Sequence, residues 1–160
     1  MHATLQPLAD ILSLNTRLFV NCLDGMGDAA AQARPGGSAN NAAFLACHLV
    51  DARIHLLKLL GRDVPHPFGD RLAEVKKVDD MTWYPSLDEI RAGWTDVSAR
   101  LDARLGELAA GDLAPDSGHK FPIADRSLLG VVTFLTQHDS YHVGQLSLLR
   151  RAAGLPAMKY

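Results

Sequence analysis

Four stretches of the chain repeat apolar residues at spacings of three and four, and this periodicity constrains the fold more than any other feature. Such a spacing places the apolar side chains along one stripe of an α-helix. The predicted helices cover about residues 4–23, 40–60, 87–108 and 127–153. No comparable stretch alternates apolar and polar residues with a period of two, so no sheet is expected. The sequence therefore predicts an all-α fold.

The expected helix ends carry signals of their own. Ser86 and Glu89 form the pattern of a capping box at the start of the third helix. Ser38 or Asn40 is the expected N-cap of the second helix. Gly61 can close the second helix in the left-handed conformation, and Gly154 follows the fourth helix as a stop signal. These signals support the boundaries that the apolar stripes indicate.

Four helices of about twenty residues, each with one apolar stripe, close most simply into a four-helix bundle. We expect one such domain over residues 1–160. The connection between the second and third helices, residues 61–86, is long and rich in proline. A connection of that length can run back over the ~30 Å of a twenty-residue helix. It could therefore leave the second and third helices parallel.

Composition excludes several classes of function. Hydrophobic residues make up 48% and charged residues 21% of the chain, as in an ordinary soluble protein. The formal net charge of −2 and the absence of a dense basic patch speak against nucleic acid and acidic membranes as partners. The longest apolar run, residues 128–135, is too short to cross a bilayer. Two cysteines and an N-terminus without signal-peptide features favour a reducing cytoplasm.

The fourth predicted helix carries two histidines at a spacing suited to metal binding. His138 and His142 lie four residues apart, so they share one face, about 40° and ~6 Å apart along the axis. They continue the stripe of Leu128, Val131 and Leu135 at positions where leucine would be expected. Burying a polar group without a partner costs on the order of 1–3 kcal/mol. We therefore expect the two inward-facing imidazoles to have a partner.

The second helix supplies that partner in His48, which follows Leu45 on the apolar stripe. With His138 and His142 it would give three nitrogen ligands and leave coordination positions open, as in a catalytic metal site. A metal held in this way polarises a bound group or lowers the pKa of a bound water or thiol. Imidazole ligands suit zinc, nickel or iron. The spacing therefore predicts a divalent metal ion on His48, His138 and His142.

Alternatives remain open for the third ligand and for the site itself. His55 lies seven residues after His48 on the same stripe, which places it ~10 Å further along the axis. We interpret His55 as a core or pocket-wall histidine that competes with His48 for the third position. A lone histidine on such a stripe is more often a hydrogen-bonded core residue. Three on converging stripes favour a metal site.

Five other polar residues could lie near the predicted site. Asp51 could orient an imidazole or contact bound water, or it could point into solvent. Tyr141 and Gln145 could line a pocket or pack inside the bundle. Asn15 interrupts the apolar stripe of the first helix and could face the site from across the bundle. His119 could cover the site from the last long loop or be an ordinary exposed histidine.

The segment Gln137–Arg151 resembles the last helix of the DinB-like (YfiT-like) superfamily. It reads Gln-His-Asp-Ser-Tyr-His-Val-Gly-Gln followed by apolar residues and arginines, which matches that family's pattern HxxxHxGQ. The segment Asn41–Gly61 carries the single upstream histidine, and Pro85–Trp94 is similar to the start of the family's third helix. The resemblance covers nearly the whole chain.

The resemblance implies a four-helix bundle with up-down-down-up topology and a divalent metal, usually nickel or zinc, on His48, His138 and His142. It also implies a homodimer. Some relatives are thiol-dependent S-transferases or isomerases that use mycothiol or bacillithiol. We therefore expect a metal-dependent transferase, using a low-molecular-weight thiol, or a hydrolase acting on a small molecule. The alternatives are a non-catalytic stress-response bundle stapled by metal and a metal-free binder of a small ligand.

Overall fold

The computed structural model describes residues 1–37 and 39–160, and the regular structure of these residues is helical. Six α-helices follow one another as α1 Gln6–Leu23, α2 Asp28–Gln32, α3 Ala42–Leu59, α4 Leu87–Glu107, α5 Ala110–Leu113 and α6 Leu128–Ala152. Short 3-10 turns cover Pro35–Gly37, Gly69–Leu72 and Val78–Asp80. Apart from an isolated bridge between Asp116 and Ser127, no strand occurs in these two ranges. The prediction of an all-α fold is confirmed.

The four long helices, α1, α3, α4 and α6, begin and end within two residues of the predicted boundaries. The short helices α2 and α5 were not expected, because helices of four or five residues are too short to show a periodic stripe. The capping box of Ser86 and Glu89 is present. The N-cap of α3 is Asn41, whose side chain accepts from the backbone N–H of Phe44 at 2.8 Å, and not Asn40. Ser38, the other expected cap, lies outside the described residues.

Each long helix packs most extensively against two others. Helix α1 contacts α4 and α6, and α3 contacts the same two helices. Large side chains fill the space between them, and the rings of Phe19 and Trp94 stack with centroids 4.2 Å apart. The connection over residues 61–86 adds Phe68 and Val78 to this core. Among the described residues, no helix combines the length and apolarity needed to span a membrane.

The guanidinium of Arg53 links all four long helices. Arg53 lies on α3 and only 2% of it is exposed. Its Nε donates to the Asp139 carboxylate on α6 at 2.8 Å, and its NH1 group donates to the hydroxyls of Thr16 on α1 and Ser98 on α4. Its NH2 group donates to the carbonyl of Leu12 on α1 at 3.1 Å. The buried side chain of Arg53 therefore connects α3 to α1, α4 and α6.

The interior faces of α3 and α6 are offset by one residue from the predicted stripes. The buried positions at the centre of these faces are Leu45, Leu49, Arg53 and Leu56 on α3, and Leu135, Asp139, Val143 and Leu146 on α6. The three histidines are half-buried at the edge of the core, so the expectation that they replace core leucines is wrong. Twelve of the eighteen residues of α3 are buried, and a helix that is apolar on most sides does not reveal the centre of its inner face.

Candidate metal centre

The structure brings His48, His138 and His142 together between α3 and α6. Each of the three side chains has a ring nitrogen that lies within 4.8 Å of a ring nitrogen of the other two. The Nε2 atoms of His48 and His138 are 3.1 Å apart, and the three ring centroids are separated by 4.4 to 5.0 Å. Two nitrogens that bind one ion at about 2.0–2.1 Å stand about 3 Å from each other. The geometry therefore suits a shared metal ion.

Gln145 orients the ring of His142. The Nδ1 of His142 lies 2.7 Å from Oε1 of Gln145, three residues further along α6. Because an amide oxygen only accepts hydrogen bonds, the hydrogen of the neutral imidazole is on Nδ1. The lone pair of His142 is then on Nε2, where it is available to a metal. The sequence predicted pocket lining or packing for Gln145 and did not predict this hydrogen bond to His142.

His138 carries a buried polar atom without a partner. Its Nδ1 finds no hydrogen bond among the described residues, although it is shielded from solvent. Its ring lies beside Phe134, with centroids 6.4 Å apart. Buried polar atoms in folded proteins nearly always have a partner, and an unmet one often marks a site for an absent ion or water. Because Nε2 of the same ring faces His48, the orphaned Nδ1 is a separate feature and not a second ligand atom for the same ion.

The pKa values of two of the histidines are lowered. Burial, followed by the neighbouring His142 and His48, lowers the pKa of His138 from 6.5 to about 4. Burial and His142 also lower the pKa of His48, and the carboxylate of Asp51 opposes this shift. His138 and His48 are therefore neutral near pH 7. Neutral imidazole is the form that binds metals.

Apolar side chains surround the cluster on the α3 side. The ring of Phe44 is nearly parallel to that of His48, with centroids 6.1 Å apart. A small pocket of about 30 Å³ adjoins His48. Its other walls are Phe44, Cys47, Asp51, Leu72, Val75 and Met81, the last three from the connection between α3 and α4. Burial raises the pKa of the Cys47 thiol to about 12, so Cys47 itself adds no charge to the pocket.

His55 and His119 lie away from the cluster. Both are exposed, and their ring centroids are 6.3 Å apart. The interpretation of His55 as a core or pocket-wall histidine is wrong, because the inner face of α3 passes through Leu56 and Arg53 instead. Between His55 and His48, the geometry favours His48 as the third ligand. His119 does not cover the cluster.

The remaining candidates of the sequence have structural or peripheral positions. The exposed carboxylate of Asp51 lies 3.8 Å from Nε2 of His66. Tyr141 is 58% exposed at the rim, with its ring centroid 5.1 Å from that of His142. Asn15 is buried and donates to the hydroxyl of Ser140 at 2.9 Å, which joins α1 to α6.

Arg53 and Asp139 are the residues near the site that sequence reasoning missed. Asp139 directly follows His138, and Arg53 lies five residues after His48. Burial raises the pKa of the Asp139 carboxyl, and Arg53 opposes that shift. For Arg53, a charged residue in a helix that is apolar on most sides was the available signal, since such a residue has few solvent-facing positions to occupy.

A second cavity, of about 340 Å³, lies between α1 and α4. Thr16, Ser98 and Arg53 contribute polar groups to its lining, and none of the three clustered histidines does. The N–H groups of Arg53 already have partners on the protein. The other charged residues of the lining, Arg17 and Asp102, are exposed.

Comparisons with known proteins show a family by one sequence profile and a similar fold by one solved structure. The sequence profile of the DinB superfamily matches residues 11–146. The crystal structure of a conserved protein from Enterococcus faecalis is similar to this chain with a TM-score of 0.67, and the match covers 96% of this chain and 98% of that one. The two sequences are 17% identical, so this likeness concerns the fold alone. No curated protein matches the chain.

Lowered histidine pKa values make the metal-free protein sensitive to acid. The unfolded chain takes up a proton at His138 near pH 6.5, whereas the folded chain does so near pH 4. The contribution of neutral His138 to the free energy of unfolding is therefore fully present above pH 6.5 and is lost as the pH falls toward 4. We expect His138→Gln to flatten this loss in urea unfolding measured with a chelator, and His119→Gln to leave it unchanged. An unaltered pH profile for His138→Gln would contradict the assignment.

Proposed function

The chain belongs to the DinB superfamily, and we propose that it binds one divalent metal ion on His48, His138 and His142 and acts on a small molecule there. The observation that carries this proposal is the convergence of three half-buried imidazoles, each with a ring nitrogen within 4.8 Å of a ring nitrogen of the others. Nickel, zinc and iron all accept such nitrogen ligands.

The residues of the site support a catalytic role in separate ways. Gln145 holds the ring of His142, and the apolar rings of Phe44 and Phe134 lie beside those of His48 and His138. A divalent ion bound here would lower the pKa of a bound thiol or water, or polarise a carbonyl group. We propose a low-molecular-weight thiol as the first substrate and a small electrophile as the second. The new carbon–sulfur bond replaces a bond to a leaving group, and the thiol proton passes to solvent.

We also propose the up-down-down-up bundle for the four long helices. In two pairs of neighbouring helices, the residues joined by hydrogen bonds rise in number together along both helices, as they do in a parallel pair. They are Arg53–Ser98 and Arg104–Leu60 for α3 and α4, and Asn15–Ser140 and Arg150–Cys22 for α1 and α6. These contacts support parallel α3 and α4, as the long connection allows. The homodimer and the cytoplasmic location stay predictions.

The metal content of protein purified without an affinity tag tests the site. We expect about one equivalent of a divalent metal in the wild type and less than about a tenth in His138→Ala and His142→Ala, since two ligands hold an ion far more weakly than three. His55→Ala is the matched control on α3 and should keep its metal. Elemental analysis by mass spectrometry provides the measurement.

Two outcomes would count against the site. A wild-type protein that contains no metal after growth and reconstitution with nickel, zinc and iron would remove the proposal. Loss of metal in His55→Ala together with its retention in His48→Ala would move the site to the exposed face of α3.

A pair of glutamine variants tests the orientation of His142. Gln145→Leu removes the acceptor that holds the ring, and loss of such a hydrogen bond to a ligand typically lowers metal affinity by about 10–100-fold. Gln137→Leu changes an exposed glutamine next to His138 and should leave the affinity unchanged. Titration of the metal-free proteins with Ni²⁺ by calorimetry compares them. Equal affinities for both variants would mean that Gln145 does not orient the ligand.

A non-catalytic staple is the second candidate function, and one observation favours it. The histidines come from both α3 and α6, so an ion bound to them joins two helices whether or not it takes part in a reaction. In that case the metal would raise the stability of the fold by its binding free energy.

Thiol transfer separates the two functions. Metal-loaded protein is incubated with 1-chloro-2,4-dinitrobenzene and a panel of cysteine, glutathione, mycothiol and bacillithiol. For a transferase we expect at least one thiol to react more than about tenfold faster with the loaded wild type than with metal-free protein, because metal binding raises the thiolate fraction. The loaded His55→Ala protein should match the wild type. Equal rates with and without metal across the panel would support the staple.

A further inference from the structure

We propose that the buried ion pair of Arg53 and Asp139 positions the histidine cluster by fixing the register of α6 against α3. The two residues are positioning residues and do not contact a substrate. The inference rests on the proposed function for its metal-binding readout, and a second readout is independent of metal.

The ion pair and the histidines connect the same two helices. Arg53 follows His48 by five residues on α3, and Asp139 directly follows His138 on α6. The guanidinium and the carboxylate meet at 2.8 Å through both Nε and NH2, while the His48 and His138 nitrogens meet at 3.1 Å. A shift of α6 by one helical turn, about 5.4 Å, would break both contacts together.

The ion pair opposes such a shift more strongly than the histidines do. Arg53 and Asp139 are each 2% exposed, so separating them would leave two buried charges without compensation. Buried charges without a partner are among the most costly defects in a protein interior. The histidines are half-buried, so water could replace their mutual contact.

The apolar packing around the pair does not define the register by itself. The buried residues of α3 are mainly alanine and leucine, and the burial of apolar side chains is non-directional. A single polar contact within an apolar helix interface is a known means of selecting one register. The ion pair occupies that central position, between the apolar faces of α3 and α6.

Arg53 is itself held in place from other directions. Thr16 and Ser98 accept hydrogen bonds from its NH1 group, and Leu12 accepts one from NH2. Its guanidinium lies over the ring of Trp94, 3.7 Å from the centroid. The Asp139 carboxylate therefore pairs with a cation whose position α1 and α4 also determine. This favours one position of α6 against the other helices.

The double variant Arg53→Met/Asp139→Leu separates positioning from stability. Apolar side chains of similar length can replace a buried ion pair without loss of folding, whereas either single change leaves a charge unpaired. We expect the double variant to remain helical with a cooperative melting transition and to bind Ni²⁺ at least about tenfold more weakly, since changes behind metal ligands typically cost about 10–100-fold in affinity. Arg53→Lys, which keeps the charge, should recover part of the affinity.

A control variant removes another ion pair between elements. Arg62 and Glu107 meet at 2.7 Å near the far ends of α3 and α4 and are about half exposed. Arg62→Gln/Glu107→Gln should bind Ni²⁺ as the wild type does. A double variant of Arg53 and Asp139 with wild-type affinity would overturn the inference. Failure of the wild type to bind Ni²⁺ would instead remove the proposed function.

A distance measurement on the metal-free protein tests the register of α6 against α3 whether or not the protein binds Ni²⁺. Spin labels at the exposed positions Lys58 on α3 and Thr133 on α6 report how these helices lie against each other. We expect one narrow distance distribution in the labelled wild type and a shifted or broadened one in Arg53→Met/Asp139→Leu. The same narrow distribution in both proteins would show that the pair does not set the register.

Discussion

The burial of one positive charge, that of Arg53, organises the structure. A guanidinium in an apolar interior is tolerated only when its donors have partners and its charge is balanced. Those partners come from Thr16 and Leu12 on α1, Ser98 on α4 and Asp139 on α6, so the requirement acts on all four long helices at once. Hydrophobic burial supplies most of the driving force for folding, but it is non-directional. The polar centre gives the core a defined arrangement that apolar packing alone would leave open.

The position of this centre explains why the histidines stand at the edge of the core. Because Arg53 and Asp139 occupy the middle of the α3–α6 contact, His48, His138 and His142 lie one position to the side, half-buried. Partial burial is sufficient to lower the pKa values of His48 and His138, which keeps these rings in the neutral form that binds metals. It also leaves one side of the cluster accessible. A closed structural site would have its ligands on every side.

Much of the fold and the site could be predicted from the sequence because the relevant signals are local. The 3,4 spacing of apolar residues gave the long helices to within two residues, and the i,i+4 spacing of His138 and His142 identified the pair. The centre of each inner face could not be predicted, since α3 is apolar on most sides and neighbouring stripes look alike. For that reason His55 was expected in the core although it is exposed. The pairing of Arg53 with Asp139, 86 residues apart, depends on tertiary structure.

A metal ion on three histidines is the central claim, and anomalous diffraction tests it most directly. Crystals of the nickel-loaded protein would be measured on both sides of the nickel absorption edge. We predict one strong anomalous peak at about 2.0–2.2 Å from a ring nitrogen of each of His48, His138 and His142. A peak beside His55 and His119, or no peak near the three clustered histidines, would contradict the account.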